Sequence, residues 1–376
     1  MPCVSNALIV GGGIAGLSAA LALARIGVKC DVLETAAAPL GASLGLTGRP
    51  TQALDELGVY DDCRAAARVF MPGETLTALH DAAGNLLSPA PKRPDLPGVK
   101  DGLGVYRPVF LDILADHARR RGVDIRYGVT VEAIENGAEH GAVTLSNGEQ
   151  HRYDLVVGAD GIGSKTRRLV FPDAPAPAYA GHVSIRWTVP GLPVAGEAFY
   201  LCPMGRVGFY YLPAQEMVYV PSVIPIPEWQ RFTDGEVHAL FTRLLDSYTA
   251  PPMVELRQRL RPDAELICRP FEWLLVPEPW YRGRTILIGD AAHATTSNMG
   301  QGGGMAIEDA VVLAQSVRDA TALADAFGSF MRRRFGRVRI VVESSVELSK
   351  LDAAKAPPTE YVKFLGAALS ALAAPY

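Results

Sequence analysis

The 376-residue sequence predicts an α/β fold: a parallel-sheet domain, an inserted antiparallel β-sheet domain and a C-terminal helix. Three observations carry this. An apolar strand, a glycine-rich turn and a helix follow one another between Ala7 and Ile26. Short β-rich runs separated by Pro and Gly begin near Tyr179. Buried-strand and helix texture returns at Thr285. A chain of this length suits one large domain sharing its core with a smaller one.

Composition narrows the class of partner. With 49% hydrophobic residues, 20% charged residues and a formal net charge of -4, the chain lacks the clustered basic excess of a nucleic-acid binder, so small molecules are the expected partners. Cys3, Cys30, Cys63, Cys202 and Cys268 are odd in number and never spaced as CxxC. That supports neither a disulfide framework nor a zinc site, and a reducing cytoplasm is the expected compartment. The apolar stretch Ala7 to Ala24 lacks a basic leader and is read as strand, turn and helix rather than signal peptide. Phe364 to Ala374 is far shorter than the roughly 20 residues of a membrane span and is expected to be a packed tail helix.

Ala7 to Val10 is apolar without alternation, as in a strand covered on both faces, and Ile14 to Ile26 has helical spacing. Cys30 to Leu33 supplies the next strand, completing the opening of a doubly wound, Rossmann-like sheet. Helical patterns recur at Pro50 to Leu57 and Pro108 to Arg121, and Asp154 to Gly158 is a further buried strand. Val183 to Val189, Ala198 to Leu201, Val207 to Leu212 and Met217 to Val223 form the antiparallel sheet. Thr285 to Ile288 returns to the first domain, and Met305 to Arg318 is a helix. The expected partition is a cofactor domain of 1–71, 98–178 and 269–345, a β-rich substrate domain of 72–97 and 179–268, and a helical tail of 346–376.

Three motifs carry chemistry. Gly11-Gly12-Gly13-Ile14-Ala15-Gly16 is a GxGxxG that follows a strand and opens a helix, with Glu34 ending the next strand. Gly11 permits the tight turn, Gly13 lets amides approach a pyrophosphate, Gly16 lets helix and strand pack closely, and Glu34 can accept from ribose hydroxyls. The second motif runs from Asp154 through Asp160-Gly161 to Ser164 and Arg167, a strand ending in an acidic turn before a basic helix start. Read alone, it is equally an ordinary strand-to-helix connection with an Asp cap. The third, Thr285 to His293 and on through Gly300-Gln301-Gly302-Gly303-Gly304 to Glu308-Asp309-Ala310, places Asp290 at a strand end. It also puts bare glycine amides at a helix start, suited to ribityl hydroxyls and to the polar edge of a flavin.

In this order and spacing the motifs resemble the class A flavoprotein monooxygenases, the family of para-hydroxybenzoate hydroxylase and salicylate hydroxylase. Phe271-Glu-Trp273 and the Trp280 to Arg284 segment fit the same pattern. The resemblance implies that the first domain binds FAD. Gly11, Gly13, Ala15, Gly16 and Glu34 would hold its adenosine diphosphate, Arg107 would contact FAD, and Asp290 would meet the ribityl-pyrophosphate region. Gly303 and Gly304 would offer amides to the flavin carbonyl edge. Asp160 and Arg167 would support the pyrophosphate turn and the visiting nicotinamide, while Arg49 lies near the flavin or simply starts a helix. One departure stands out: the family usually places a proline three residues before Gly300-Gln301-Gly302, and here Ser297 is followed by Asn298. An altered substrate orientation or an extra polar contact is expected.

By the same resemblance, NADH or NADPH reduces the flavin and O2 adds to give a C4a-hydroperoxide. The terminal oxygen then passes to an electron-rich ring. The protein's tasks are to bind the ring, exclude water and help remove a phenolic proton. Arg186 and Arg206 in the β-rich domain could pair with a substrate carboxylate, with solvated surface arginines as the alternative. Tyr211 is the candidate for orienting or deprotonating a ring hydroxyl. Tyr210 competes with it, since strand alternation lets only one face the pocket. His182 could act as a base or be structural, and His293 is expected to support the flavin loop. The function expected is NAD(P)H-dependent hydroxylation of a small phenolic or pyridine-type acid by a monomer or homodimer. Two rivals are an epoxidase or hydroxylase of a larger alicyclic or quinone-like molecule, and a flavin dehydrogenase without oxygen transfer. The absence of a close Cys pair disfavours a disulfide reductase.

Overall fold

The apolar run Asn6–Val10 has no polar face, and it becomes the interior of a six-stranded sheet. The computed structural model describes residues 2–36, 42–71, 74, 78–88, 96–192 and 197–376, so much of the 72–97 segment lies outside the described residues. The sheet order is Tyr281–Arg282, Thr285–Leu287, Leu155–Gly158, Asn6–Val10, Lys29–Glu34 and Asp124–Tyr127. All strands are parallel except the short Tyr281–Arg282 hairpin edge. Register places Ala7 opposite both Cys30 and Leu155, and strand parity then divides the sheet into two cores.

Ala7 and Ile9 face the helices Ile14–Arg25, Arg107–Arg120 and Gly302–Asp319, within the main hydrophobic core. Leu8 and Val10 face the other way, onto Val131, Val143, Leu145 and Tyr153. Those residues belong to a three-stranded antiparallel meander of Val131–Asn136, Gly141–Leu145 and Gln150–Tyr153. The second face of the expected doubly wound sheet is therefore covered by strands in place of helices. Helix Ile14–Arg25 is Ala- and Leu-rich and buried from Ala15 to Leu23, which lets helix Gly302–Asp319 pack closely on it.

The second sheet has seven strands in the order Ile267–Trp273, Ala178–Pro190, Met217–Pro225, Gly205–Leu212, Ala198–Cys202, Ala78–His80 and Leu86–Ser88. Its back face (Val183, Ile185, Trp187, Val207, Phe209, Val218 and Val220) packs on helices Asp234–Asp246 and Pro251–Arg259. These two helices lie inside the segment read as β-rich. Thr233 and Glu236 form a capping box at the start of the first, a signal present in the sequence. The front face looks toward the first sheet across a cavity. Helix Leu323–Ala353 runs unbroken through position 346, and helix Pro358–Ala371 follows it.

Candidate active site

The cavity between the two sheets has a volume of about 880 Å3. Its floor is the glycine turn. Gly11 adopts φ +107, and a Cβ there would lie 2.4 Å from the Ala159 carbonyl oxygen. A Cβ on Gly16 would lie 1.8 Å from Gly11 O, whereas one on Gly13 would meet nothing within 4 Å. Two glycines are thus required by packing, and the third leaves open space beside the start of helix Ile14–Arg25, whose unpaired first amides would suit a pyrophosphate. Glu34 Oε2 accepts from Gly12 N at 2.7 Å and Oε1 from Ala36 N at 2.7 Å, fixing the carboxylate at the rim of this turn. Gly13, Ile14 and Ala15 line the cavity.

Asp160 turns inward to its own chain. It accepts from Ser164 Oγ at 2.5 Å and from Thr166 N at 2.9 Å, and Ser164 caps Arg167 N at 2.9 Å. Arg167 donates to Ala291 O at 2.8 Å and Ile162 O at 2.6 Å, tying the acidic turn to the Asp290–His293 helix. Both residues brace the turn.

Asp290 opens into the cavity. The surrounding walls raise its carboxyl pKa, opposed by His293 and Arg107. Arg107, the first residue of helix Arg107–Arg120, also lines the cavity, and its buried Nε has no partner among the described residues. Burial lowers its guanidinium pKa, Asp290 and Glu34 pull it back up, and Arg186 adds to the lowering. Gly302 and Gly303 border the cavity at the start of helix Gly302–Asp319, whose first amides have no intrahelical acceptor. Gly304 is not among the residues lining the cavity, and packing accounts for its missing side chain. A Cβ on it would lie 2.4 Å from Pro50 Cγ, so its missing side chain admits the neighbouring helix. An orphan guanidinium nitrogen, an open glycine turn and uncapped helix amides fit the anionic and carbonyl groups of FAD.

Behind this surface is a buried charge cluster. Asp309 accepts from His293 Nε2 at 2.5 Å, Gly289 N at 3.0 Å and Arg334 Nε at 2.7 Å. Glu308 accepts from Arg334 at 2.6 Å and Arg337 at 2.7 Å. His293 therefore braces the turn at Gly289 through their shared partner Asp309. Arg49 is bonded to Ala373 O at 2.9 Å and Gln52 Oε1 at 3.0 Å and does not line the cavity. It starts helix Arg49–Leu57, the second of its two expected places, and clasps the C-terminal segment away from the cavity.

The substrate-side expectations divide by strand parity. On Ala178–Pro190, His182, Ser184 and Arg186 line the cavity, while Val183, Ile185 and Trp187 face the back. Arg186 has only a long contact, 3.5 Å, to Ser184 Oγ, and no carboxylate within ion-pair distance among the described residues. Arg206 also lines the cavity but is paired with Asp352 and lies over the rings of Phe199 and Tyr361. Burial opposes its charge, yet Tyr361 and Asp352 hold its pKa above the ordinary value. It is neither a solvated surface arginine nor a free carboxylate receptor.

On the same strand Tyr210 packs beside Tyr219 and Leu212 on the cavity side, whereas Tyr211 shares the parity of Val207 and Phe209 and is 39% exposed. Both tyrosines line the cavity, Tyr210 the more enclosed and Tyr211 the more exposed, so the competition between them stays open.

The Ser297-Asn298 departure has a visible consequence. Asn298 donates to Asp352 Oδ2 at 3.0 Å and accepts from Thr296 Oγ1 at 2.8 Å and Ser349 Oγ at 3.0 Å. This is the expected extra polar contact. Asn298, Asp352, Arg206 and Tyr361 join four cavity elements that the motifs did not connect.

Residues 5–321 match the family described as FAD binding domain. A putative FAD-dependent monooxygenase of Bacillus subtilis is 30% identical over 354 residues, 92% of this chain and 93% of that protein. The chain belongs to the class A flavoprotein monooxygenases. It is an FAD-dependent monooxygenase. The 2-heptyl-3-hydroxy-4(1H)-quinolone synthase of Pseudomonas aeruginosa is 32% identical, covering 93% of this chain and 90% of that one. The FAD-dependent urate hydroxylase of Klebsiella pneumoniae is 30% identical, covering 90% and 88%. The structure of Klebsiella pneumoniae HpxO with FAD and uric acid superimposes with a TM-score of 0.82 at 24% identity, over 99% of this chain and 97% of that one, which places the monooxygenase in the same fold. No described helix is long and apolar enough to cross a membrane.

Proposed function

We propose that this monooxygenase consumes NADH or NADPH and hydroxylates a phenolic or N-heteroaromatic ring bearing one acidic group, held by Arg186. The observation that carries the reading is Arg186 itself: a cavity-lining guanidinium without a carboxylate partner among the described residues, while Arg206 is neutralised by Asp352. A guanidinium matches a carboxylate or ring oxyanion through paired donors. Bound FAD would supply the electron-transfer and oxygen chemistry. The chain's own residues bind and orient the ring and keep water from it. Leu79, Phe199 and Leu201 of the sheet and Val362, Leu365 and Leu369 of the C-terminal helix form the apolar side of the cavity.

That apolar side favours a second reading, a ring carrying an apolar substituent, the kind of compound named for the Pseudomonas relative. A cytoplasmic setting, where NADH and NADPH are supplied, would suit this reading. Arg186→Gln tests the leading reading. It is expected to weaken ring acids by about 10-fold or more relative to their amides, the scale of one lost charge-assisted hydrogen bond. Equal loss for acid and amide would remove Arg186 as the anchor.

A further inference from the structure

The row of side chains that strand Ala178–Pro190 turns toward the cavity begins with a histidine whose hydrogen bonding is half complete. His182 is 1% exposed, forms part of the cavity wall and has its ring centroid 6.1 Å from that of Phe271. Its Nδ1 lies 2.9 Å from the Ala180 carbonyl oxygen. A carbonyl only accepts, so Nδ1 carries the proton and Nε2 presents a bare lone pair on the opposite side of the ring. Nε2 is buried and has no partner among the described residues. A buried acceptor lacking a donor destabilises the protein that contains it. In a cavity wall, the missing donor is supplied by what the cavity binds.

The surroundings keep the ring in the accepting form. Burial lowers the imidazole pKa and Arg206 acts the same way, against the Ala180 carbonyl and Asp352. Arg206 comes from the strand Gly205–Leu212 and Asp352 from the helix Leu323–Ala353. The neighbours on the flanking strands, Phe271 and Pro225, carry no charge. At neutral pH the ring is therefore neutral.

We propose that His182 is the proton acceptor for the bound ring, its Nε2 receiving the hydrogen of the ring hydroxyl or ring N–H next to the carbon to be oxygenated. The assignment rests on the aromatic-ring reading above. The ring O–H bond breaks, an Nε2–H bond forms and the electron pair stays on the ring oxygen, which enriches the ring for attack on an electrophilic oxygen. The imidazolium holds the proton with Asp352 nearby and returns it to the product oxygen on release. Arg186, two positions further along the cavity-facing row, would hold the acidic group while His182 meets the hydroxyl.

The test uses FAD-loaded wild type, His182→Phe and His182→Gln. The probes are 2-methyl-3-hydroxypyridine-5-carboxylate and its 3-methoxy ether, followed by the flavin spectrum. Wild type is expected to bind the hydroxyl compound at least 10-fold more tightly than the ether, and H182F to bind both alike. H182Q keeps an accepting oxygen and is expected to retain the preference. With a ring that wild type oxygenates, the acid limb of kcat/KM should disappear in both variants, with a fall of about 100-fold or more. H182F should keep the wild-type Tm or exceed it, because it removes an unpartnered polar atom.

A Tm several degrees lower in H182F would make the histidine structural and overturn the proposal. So would a wild type without hydroxyl preference, or an acid limb that survives in both variants. Should wild type bind with the hydroxyl preference yet oxygenate no ring, the hydroxylase reading fails while the role of Nε2 as acceptor stands. Should H182F oxygenate at the wild-type rate, His182 fails and the hydroxylase reading stands.

Discussion

Arg334→Met tests the support beneath the flavin loop. Arg334 is 0% exposed and binds Asp309 at 2.7 Å and Glu308 at 2.6 Å. Breaking a buried pair by removing one partner costs about 3–5 kcal/mol, because a charge is left uncompensated. The lower end applies here, since Asp309 keeps His293 and Gly289 N and Glu308 keeps Arg337. At about 2 °C per kcal/mol for a large chain, a loss of about 3 kcal/mol lowers Tm by about 6 °C. Asp309 also holds Gly289 N, so FAD should be released at a lower temperature than in wild type. The assay is thermal unfolding by circular dichroism, run beside flavin fluorescence, with Arg318→Met as the control. Arg318 pairs with Asp319 at 2.7 Å, but on the surface, and its removal should leave Tm unchanged. If the two variants behaved alike, the buried cluster would not be supporting the loop.

Arg107→Met should weaken FAD binding by about 10- to 100-fold, from the roughly 1.5–3 kcal/mol of a hydrogen bond to a charged group; unchanged fluorescence-titrated affinity would contradict the assignment of its orphan Nε. Arg206→Gln combined with Asp352→Asn, which removes both charges of the pair, should lower affinity for ring acids and their amides equally, because the substrate's partner Arg186 is kept; selective loss of acids would restore Arg206 as an anchor. Acid should loosen the same cluster that Arg334 holds. Burial alone would raise the Asp309 pKa, but His293, Arg334 and the Gly289 amide bring it below the ordinary aspartate value. A depressed folded-state pKa contributes stability that is present above the unfolded value and lost as pH falls through the folded one. Stability should therefore decline below the ordinary aspartate range near pH 4, with a shallower decline in Asp309→Asn; equal slopes would remove Asp309 from the acid response.

The cofactor half of the molecule was legible because its constraints are local. Gly11 and Gly16 announce a turn that no side chain can enter, and Asp160 to Arg167 writes its own capping pattern within eight positions. The substrate half depends on contacts distant in sequence. Nothing near Arg206 reveals that Asp352 will pair with it, and nothing near Arg49 reveals the Ala373 carbonyl. One hidden signal was readable: Arg334 follows Phe327, Phe330 and Met331 at core spacing. A charged residue at that phase needs buried partners. His182 stayed open between base and structural residue in the sequence, because a lone histidine near a strand start is ordinary until its burial and its bare Nε2 are seen together.

Reaction under heavy-isotope dioxygen, with NADH or NADPH and a panel of urate, hydroxypyridine acids and 4-quinolones, tests the central claim most directly. For at least one ring, one labelled oxygen atom should appear in the product for each NAD(P)H consumed, and nicotinamide oxidation should quicken when that ring is added. Turnover that continues without oxygen on another acceptor, or consumption of oxygen only as peroxide with every ring, would contradict it.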